Sequence, residues 1–266
     1  QPRAIFQRNA RTGMGDGLVM AVEAGADLVG TDSFYGHLLS RDVFNNERLW
    51  PYPFLDYVMS SAILIDKSGR RWTDEGQGGI AVANAVARSN DPLDKVVVAD
   101  EAIWRDLGKF RLMSPNPWLI REGGTLHRAD TLQALAVLSG VDSEGLVDSV
   151  RVYNDAVREN SCGKLQPPRT TTVFTAKPIE QPPYYAIPIC AGITYTMGGI
   201  SIDEDARVIT PSGDPVEGLY AVGCATGGLE GGALSGYVGG LIKSGVTGLR
   251  AAEHILASRA GSLLRA

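Results

Sequence analysis

The sequence predicts an α/β protein interrupted by an inserted α+β unit. Three observations carry that prediction. Near the C-terminus, Gly218-Leu219-Tyr220-Ala221-Val222-Gly223-Cys224 reads as a short buried strand. It runs into a glycine-rich loop, Gly227-Gly228-Leu229-Glu230-Gly231-Gly232, and then a long helix from about Gly236 to about Arg259. Upstream, short β-branched runs alternate with amphipathic helical stretches, the pattern of a mixed fold. Residues 160–183 are rich in proline and threonine and read as a linker returning the chain to where it began. The expected division is therefore two outer segments that belong together, residues 1–30 and 184–266, with residues 31–183 between them.

The bulk composition sets bounds. A chain of 266 residues with 44% hydrophobic and 21% charged residues has the make-up of a globular protein with a sizeable core. The 32 glycines have no period, which excludes collagen-like and low-complexity structure. A net charge of −5 weighs against nucleic acid as a partner. No apolar run reaches the ~20 residues of a membrane span. Gln1-Pro2-Arg3 leads into a folded pattern with no signal peptide. The three cysteines, Cys162, Cys190 and Cys224, are too far apart to form a metal-ligand pair. Their odd number fits a reducing compartment, and the expected location is cytoplasmic.

Taken in order, Gly13-Met14-Gly15-Asp16-Gly17 opens a helix over Leu18–Ala24 that Gly25 stops. Asp16 stands near its start, where a plain N-cap is the simplest role. Ala26–Thr31 is a short strand. Phe34, Tyr35 and His37 fall in a polar loop, and 38–61 form a loop with short helical pieces. Ala62–Trp72 is a hairpin turning at Gly69, and Thr73–Gly79 is a flexible loop. Ile80–Arg88 is helical, Lys95–Ala99 a buried strand and Glu101–Leu107 a short helix. Asp130 and Ser143 cap two helices that form a hairpin, the first ended by Gly140. Tyr184–Ile189 is strand-like, and Pro188 makes it an edge or ends it. Ile200–Ile209 is a hairpin, and a turn at Pro211-Ser212-Gly213-Asp214 leads into the C-terminal strand. The final helix carries an apolar stripe at Leu241, Ile242, Val246, Leu249, Ala252, Ile255 and Leu256.

The strand, glycine loop and helix start together expose backbone N–H groups and a positive dipole end. Phosphate, a carboxylate or the pyrimidine edge of a flavin suits such a point. Glycines serving only close packing is the competing reading.

Four blocks in order resemble the flavoprotein family of fumarate reductase and succinate dehydrogenase, whose relatives include flavocytochrome c fumarate reductases, urocanate reductase and 3-ketosteroid dehydrogenases. They are Gly15-Asp16-Gly17 with Gly25-Ala26, Ser68-Gly69-Arg70-Arg71-Trp72-Thr73-Asp74-Glu75, Tyr195-Thr196-Met197-Gly198-Gly199-Ile200, and Gly218 to Leu241. The resemblance implies an incomplete Rossmann-like FAD-binding domain with an inserted α+β capping domain. It implies FAD as cofactor, contacted by Asp16, Gly198, Gly199, Gly223, Cys224, Gly239, Gly240 and Leu241. Cys224 stands where the family has a glutamate. The family opens with a G-x-G-x-x-G strand-turn-helix that holds the ADP part of FAD. No such fingerprint precedes Gly15, so a second chain or segment is expected to supply that half.

The resemblance also locates the chemistry and its departures. His37 falls at the spacing of the family's substrate-binding histidine, although a loop histidine is the plainer reading. Tyr195 or Thr194 stands where many members have a second histidine. Gly79 stands where the proton-donating arginine is expected, and Leu234-Ser235 where the carboxylate-gripping arginine is expected. Bidentate arginine is the natural grip for a dicarboxylate, so fumarate and succinate are disfavoured. His37 and Tyr195 are the expected catalytic residues, with Tyr35, Thr194, Glu230, Ser235 and Tyr237 at the substrate. The expected activity is hydride exchange between FAD and a C=C/CH–CH unit beside a carbonyl-type group of a small molecule. A non-catalytic or partner-dependent subunit that kept the fold is the rival expectation.

Overall fold

In a computed structural model of the chain, residues 4–10, 12–110, 113–170, 173–232 and 238–263 are described. The fold is mixed α/β. Strand β1 (Ile5–Gln7) leads to α1 (Asp16–Glu23) and β2 (Leu28–Val29). Gly25, at a φ of 95°, ends α1 as expected. Asp16 is the first helical residue, after Gly15, and makes no side-chain cap, so its link to α1 is through the helix dipole.

The segment expected as a polar loop is strand β3 (Phe34–Ser40), with all but Tyr35 buried. After two 3-10 turns come α2 (Asp56–Ser61) and β4 (Ile63–Ile65). Ile65 bridges Arg71 and closes the short hairpin. The expected flexible loop at Thr73–Gly79 is ordered instead. Asp74 accepts from Gly76 N–H and Thr170 N–H, both at 3.0 Å. Glu75, fully buried, accepts from Leu64 N–H at 3.0 Å and from Arg71 at 2.7 Å.

Then come α3 (Gly79–Arg88), β5 (Val96–Asp100), α4 (Glu101–Asp106), α5 (Trp118–Arg121) and β6 (His127–Ala129). Helices α6 (Leu132–Ser139) and α7 (Ser143–Arg158) form the hairpin. Their caps lie one residue away from the expected ones. Thr131 accepts from Ala134 N–H, and Asp142 accepts from Gly145 N–H. In each case the side chain next to the helix reaches the third amide better than its neighbour does.

Strand β7 (Tyr184–Thr196) is 13 residues long and lies inside the sheet, where an edge or an early end was expected. It pairs with β1, β3, β5 and β6. Ile189 N–H donates to Lys95 on the β5 side, so the amide position of Pro188 faces the other side. There the pairing with β6 ends at Ala186, so Pro188 removes no donor from the β6 ladder. The chain ends with β8 (Gly199–Ile200), β9 (Arg207–Ile209), β10 (Pro215–Tyr220) and α8 (Gly240–Leu263). β10 is mostly exposed or half-buried, not the buried strand expected.

The chain divides into two units. The first is Gln1–Arg8 with Gly36–Thr194, the second Asn9–Tyr35 with Tyr195–Ala266. These divisions differ from the expected ones at 30 and 183, because β1 and β7 hydrogen-bond to each other and β7 to β5. The first unit has a large core around Ile63, Leu64, Val97, Val98, Ile187 and Tyr153. Burial pushes the Tyr153 phenol up, and its hydroxyl donates to the Ser61 carbonyl at 3.1 Å. The second has a small one: Ala21, Ala26, Ile200, Val208 and Ala221, with five half-buried neighbours. No helix among the described residues is long and apolar enough to cross a membrane.

Glu75 also lies 3.9 Å from Arg169, so two buried guanidinium groups share one carboxylate. Replacing it, Glu75→Ala, leaves both cations uncompensated and is expected to cost about 3–5 kcal/mol. Urea unfolding of the variant against the parent measures this, and a loss below about 1 kcal/mol would contradict it.

Candidate functional site

Each unit holds part of the set named from the sequence. In the second unit three backbone stretches meet with no room for side chains. A Cβ at Gly198 would stand 2.5 Å from Thr31 Cα, one at Gly199 2.5 Å from the Ala225 carbonyl, and one at Gly227 2.2 Å from Gly199 N. Gly198 and Gly199 are thus required for packing whatever they touch on a cofactor. The contact fixes the start of the loop 223–230 against β2 and β8, where Thr226 bridges Ile200 and Gly227 N–H donates to Ile200.

The other end of that loop is held by α8. Lys243 Nζ donates to the Thr226 carbonyl at 2.8 Å and to Glu230 Oε1 at 3.1 Å, with both side chains almost fully buried. Thr247 accepts from Gly223 N–H at 2.9 Å. Arg250 bonds Asp205 and the Glu204 carbonyl, and His254 bonds the Tyr220 hydroxyl at 2.8 Å. Lys243, Thr247, Arg250 and His254 recur at helical spacing, so α8 docks by a polar stripe. The apolar stripe is on the outside: Leu241 is 94% exposed, and Ile242, Val246, Leu249 and Leu256 are exposed with it. Lys243 was not singled out from the sequence, where only the apolar stripe of this helix was named. The same helical spacing of the polar residues was the signal that could have found it.

The remaining second-unit residues are placed as follows. The Gly223 N–H is taken by Thr247, so Gly223 can offer a cofactor shape but not that donor. Cys224 is exposed and its thiol free. Gly239, at a φ of 97°, accepts from Lys243 N–H, and Gly240 begins α8, four residues later than expected. Ser235 and Tyr237 lie outside the described residues. Tyr35 and Tyr195 are stacked, with centroids 5.4 Å apart and planes at 27°.

This unit offers features that suit part of FAD. Nothing lies within 4 Å of where a Cβ would stand at Gly13, Gly15 or Gly17, so the start of α1 is bare backbone. Asp16 is exposed on it. Amides at a helix N-terminus suit phosphate or an electron-rich ring edge. Glu230 Oε2 is buried with no hydrogen-bond partner among the described residues, which leaves an acceptor for a ligand N–H or O–H.

In the first unit, Arg8 lies between the Thr194 and His37 groups, its guanidinium 4.5 Å from the centroid of the Phe54 ring. Thr194 Oγ1 accepts from Arg8 at 2.6 Å. His37 Nδ1 pairs with Asp56 Oδ2 at 2.6 Å, and its ring stacks on Phe54 with centroids 3.8 Å apart. Asp56 was not anticipated, since nothing in its spacing to His37 marks it. The place read as that of a family arginine is occupied: a Cβ at Gly79 would stand 2.0 Å from the Asp56 carboxyl carbon.

Removing the ammonium by Lys243→Met leaves Glu230 charged, buried and unpaired, and is expected to cost about 3–5 kcal/mol. The double change with Glu230→Gln should recover more than half of that loss. Chemical denaturation of the two variants checks it, and additive losses would contradict the pairing.

Comparison with known proteins agrees with this geometry. The family described as FAD binding domain matches residues 6–236. A 4-oxocyclohex-2-ene-1-carboxylate 5-dehydrogenase of Sinomonas cyclohexanicum is 28% identical, covering 91% of this chain and 44% of the relative. An NADH:acrylate oxidoreductase of Vibrio harveyi is also 28% identical, covering 86% of this chain and 21% of the relative. The chain therefore spans less than half the length of either. Among solved structures, 3-ketosteroid Δ1-dehydrogenase from Sterolibacterium denitrificans in complex with 1,4-androstadiene-3,17-dione aligns with a TM-score of 0.73 and 27% identity, over 95% of this chain and 48% of that one. With the family matched over most of its length, the chain belongs to the FAD binding domain family of flavoproteins.

Proposed function

We propose that the protein is a flavin-dependent oxidoreductase acting on a C=C/CH–CH unit beside a ring ketone or similar carbonyl, and not on a dicarboxylate. The observation that carries the substrate reading is the filled space at Gly79. An arginine cannot stand there without displacing Asp56, and the charge present is a carboxylate, which repels a second acid group. Two of the similar proteins support the same class. One is named for a 4-oxocyclohexene carboxylate, and the 3-ketosteroid dehydrogenase structure holds a diketone.

Bound FAD supplies two-electron hydride exchange with such a unit. The residues of this chain hold and shape it. The amides at Gly13–Gly17, the Gly198-Gly199 corner and the 223–230 loop with Gly239, Gly240 and Leu241 form the cofactor side. His37 and Tyr195 move the proton or polarise the carbonyl, with Tyr35, Thr194, Glu230, Ser235 and Tyr237 at the substrate. Residues 31–183 act as a capping domain that excludes water. A further chain or segment bearing the dinucleotide-binding turn covers the outer faces of α1 and α8. The exposed Val19, Met20 and Val22 on one and Leu241, Ile242 and Leu249 on the other support this, as does the small core of their unit.

Turnover of the full-length protein with FAD tests the reading. Cyclic enones or their saturated ketones should react, and fumarate should react at least ~10²-fold less efficiently, given ~1.5–3 kcal/mol per lost charge-assisted bond. His37→Ala should lower kcat by about 10²–10⁴. Fumarate reduction at ordinary enzymatic rates, or full activity of the double variant His37→Ala/Tyr195→Phe, would sink the proposal.

A further inference from the structure

The buried ion pair of the second unit is satisfied on one side only. Glu230 and Lys243 have 1% and 3% of their side chains exposed. Lys243, in the first turn of α8, donates to Glu230 Oε1 at 3.1 Å and to the Thr226 carbonyl at 2.8 Å. Glu230 Oε2 is buried and accepts no hydrogen bond from the described residues. Interior polar atoms nearly always have a partner, and a carboxylate oxygen without one bears its full desolvation cost. The loop amides next to it are engaged elsewhere. Gly223 N–H donates to Thr247, Thr226 N–H to the Gly223 carbonyl, Gly227 N–H to Ile200 and Gly228 N–H to Met197. Lys243 is held at the other oxygen. The donor that completes Oε2 therefore belongs to a bound molecule.

The chemistry of that donor follows from the two sides of the site. The carboxylate of an ion pair has no proton to give, so Oε2 can only accept. The helix start beside it does the opposite, because the first amides of a helix lack intrahelical acceptors and donate to a ligand's oxygens. The first backbone bond of α8 among the described residues runs from Lys243 N–H to the Gly239 carbonyl, at 3.1 Å. Amide donors with one acceptor beside them match the pyrimidine edge of a flavin, where an N–H stands between two carbonyl oxygens. We infer that Glu230 Oε2 accepts the imide N3–H of FAD, and that Lys243 is the positioning residue that aims the carboxylate. This rests on the reading of the 223–230 loop and the start of α8 as the cofactor side, and it gives Glu230 to the cofactor instead of the substrate.

Lys243 also makes the inference testable. Glu230→Gln keeps the shape of the side chain but leaves one oxygen and one NH₂. The ammonium can only donate, so it takes the oxygen. The NH₂ then meets N3–H, donor against donor. Adding Lys243→Met frees the amide to turn its oxygen to N3–H. The experiment reloads the full-length protein, freed of flavin, with FAD carrying ¹⁵N at N3, and records both the dissociation constant and the N3–H resonance. In the parent, N3–H should exchange with solvent far more slowly than in free FAD. Glu230→Gln should bind FAD about 10–100-fold more weakly. Glu230→Gln/Lys243→Met should regain most of that loss. A parent N3–H that exchanges as fast as in free FAD would overturn the inference without any variant. So would Glu230→Gln with the parent's affinity and N3–H resonance, which would leave a trapped water at Oε2, or a double variant that binds no better than the single one. A KM raised in Glu230→Gln for 4-hydroxycyclohex-2-enone but not for cyclohex-2-enone, at unchanged FAD affinity, would give the contact to a substrate hydroxyl and overturn it too. If the parent binds no FAD, the cofactor reading itself fails and this inference falls with it, a result distinct from bound FAD with an unprotected N3–H.

Discussion

Three stretches of backbone in the second unit approach so closely that none can carry a methyl group where they meet. Gly198 lies against Gly30 and Thr31, Gly199 against Ala225 and Thr226, and Gly227 against Gly199 and Val29. Such a junction is held by backbone hydrogen bonds, which only glycine leaves accessible at this distance. Everything proposed for the cofactor follows from it. The loop after β10 can leave in one direction only, and its far end must reach α8. The Lys243–Glu230 pair completes the connection from the helix side, at the desolvation cost that any buried ion pair carries.

α8 docks through its polar side in spite of that cost. A helix docked through Lys243, Thr247, Arg250 and His254 uses its polar side inward and has its apolar stripe left over. Together with the exposed apolar side chains of α1, this leaves the second unit with an apolar surface beside a small core. Surfaces of that kind mark interfaces. The first unit is different: its strands and helices bury one another, and its buried charges are matched, as Glu75 is by Arg71 and Arg169. Its candidate for chemistry is the His37–Asp56 pair.

The sequence made the local elements legible wherever periodicity and punctuation agreed. Helix α1 with its Gly25 stop, α3, β5 and the α6–α7 hairpin were all visible from apolar spacing and glycine. Long-range pairing was not. Pro188 lies inside a sheet just past the point where the β6 pairing ends, which no local pattern records. The Thr73–Gly79 loop reads as flexible because Asp74 and Glu75 are polar. Their partners, Thr170 and Leu64, lie far away in sequence or on another strand. For α8 the apolar stripe was visible but not which side would dock, since hydrophobicity predicts burial only when the covering surface is in the same chain. Asp56 could not be read at all, because its link to His37 exists only once β3 and α2 are bonded through Leu38 and Leu55.

The central claim is that the junction of α1, β8, the 223–230 loop and the start of α8 is where FAD is held. Amide hydrogen exchange of the full-length protein, with and without FAD, tests it most directly, because protection reports where a ligand orders or covers backbone. The account predicts protection confined to Gly13–Val19, Met197–Ile200, Gly223–Glu230 and Gly239–Lys243, with α6 and α7 unchanged. Protection on α6 and α7 with none at Gly13–Val19 or Gly223–Glu230 would contradict it.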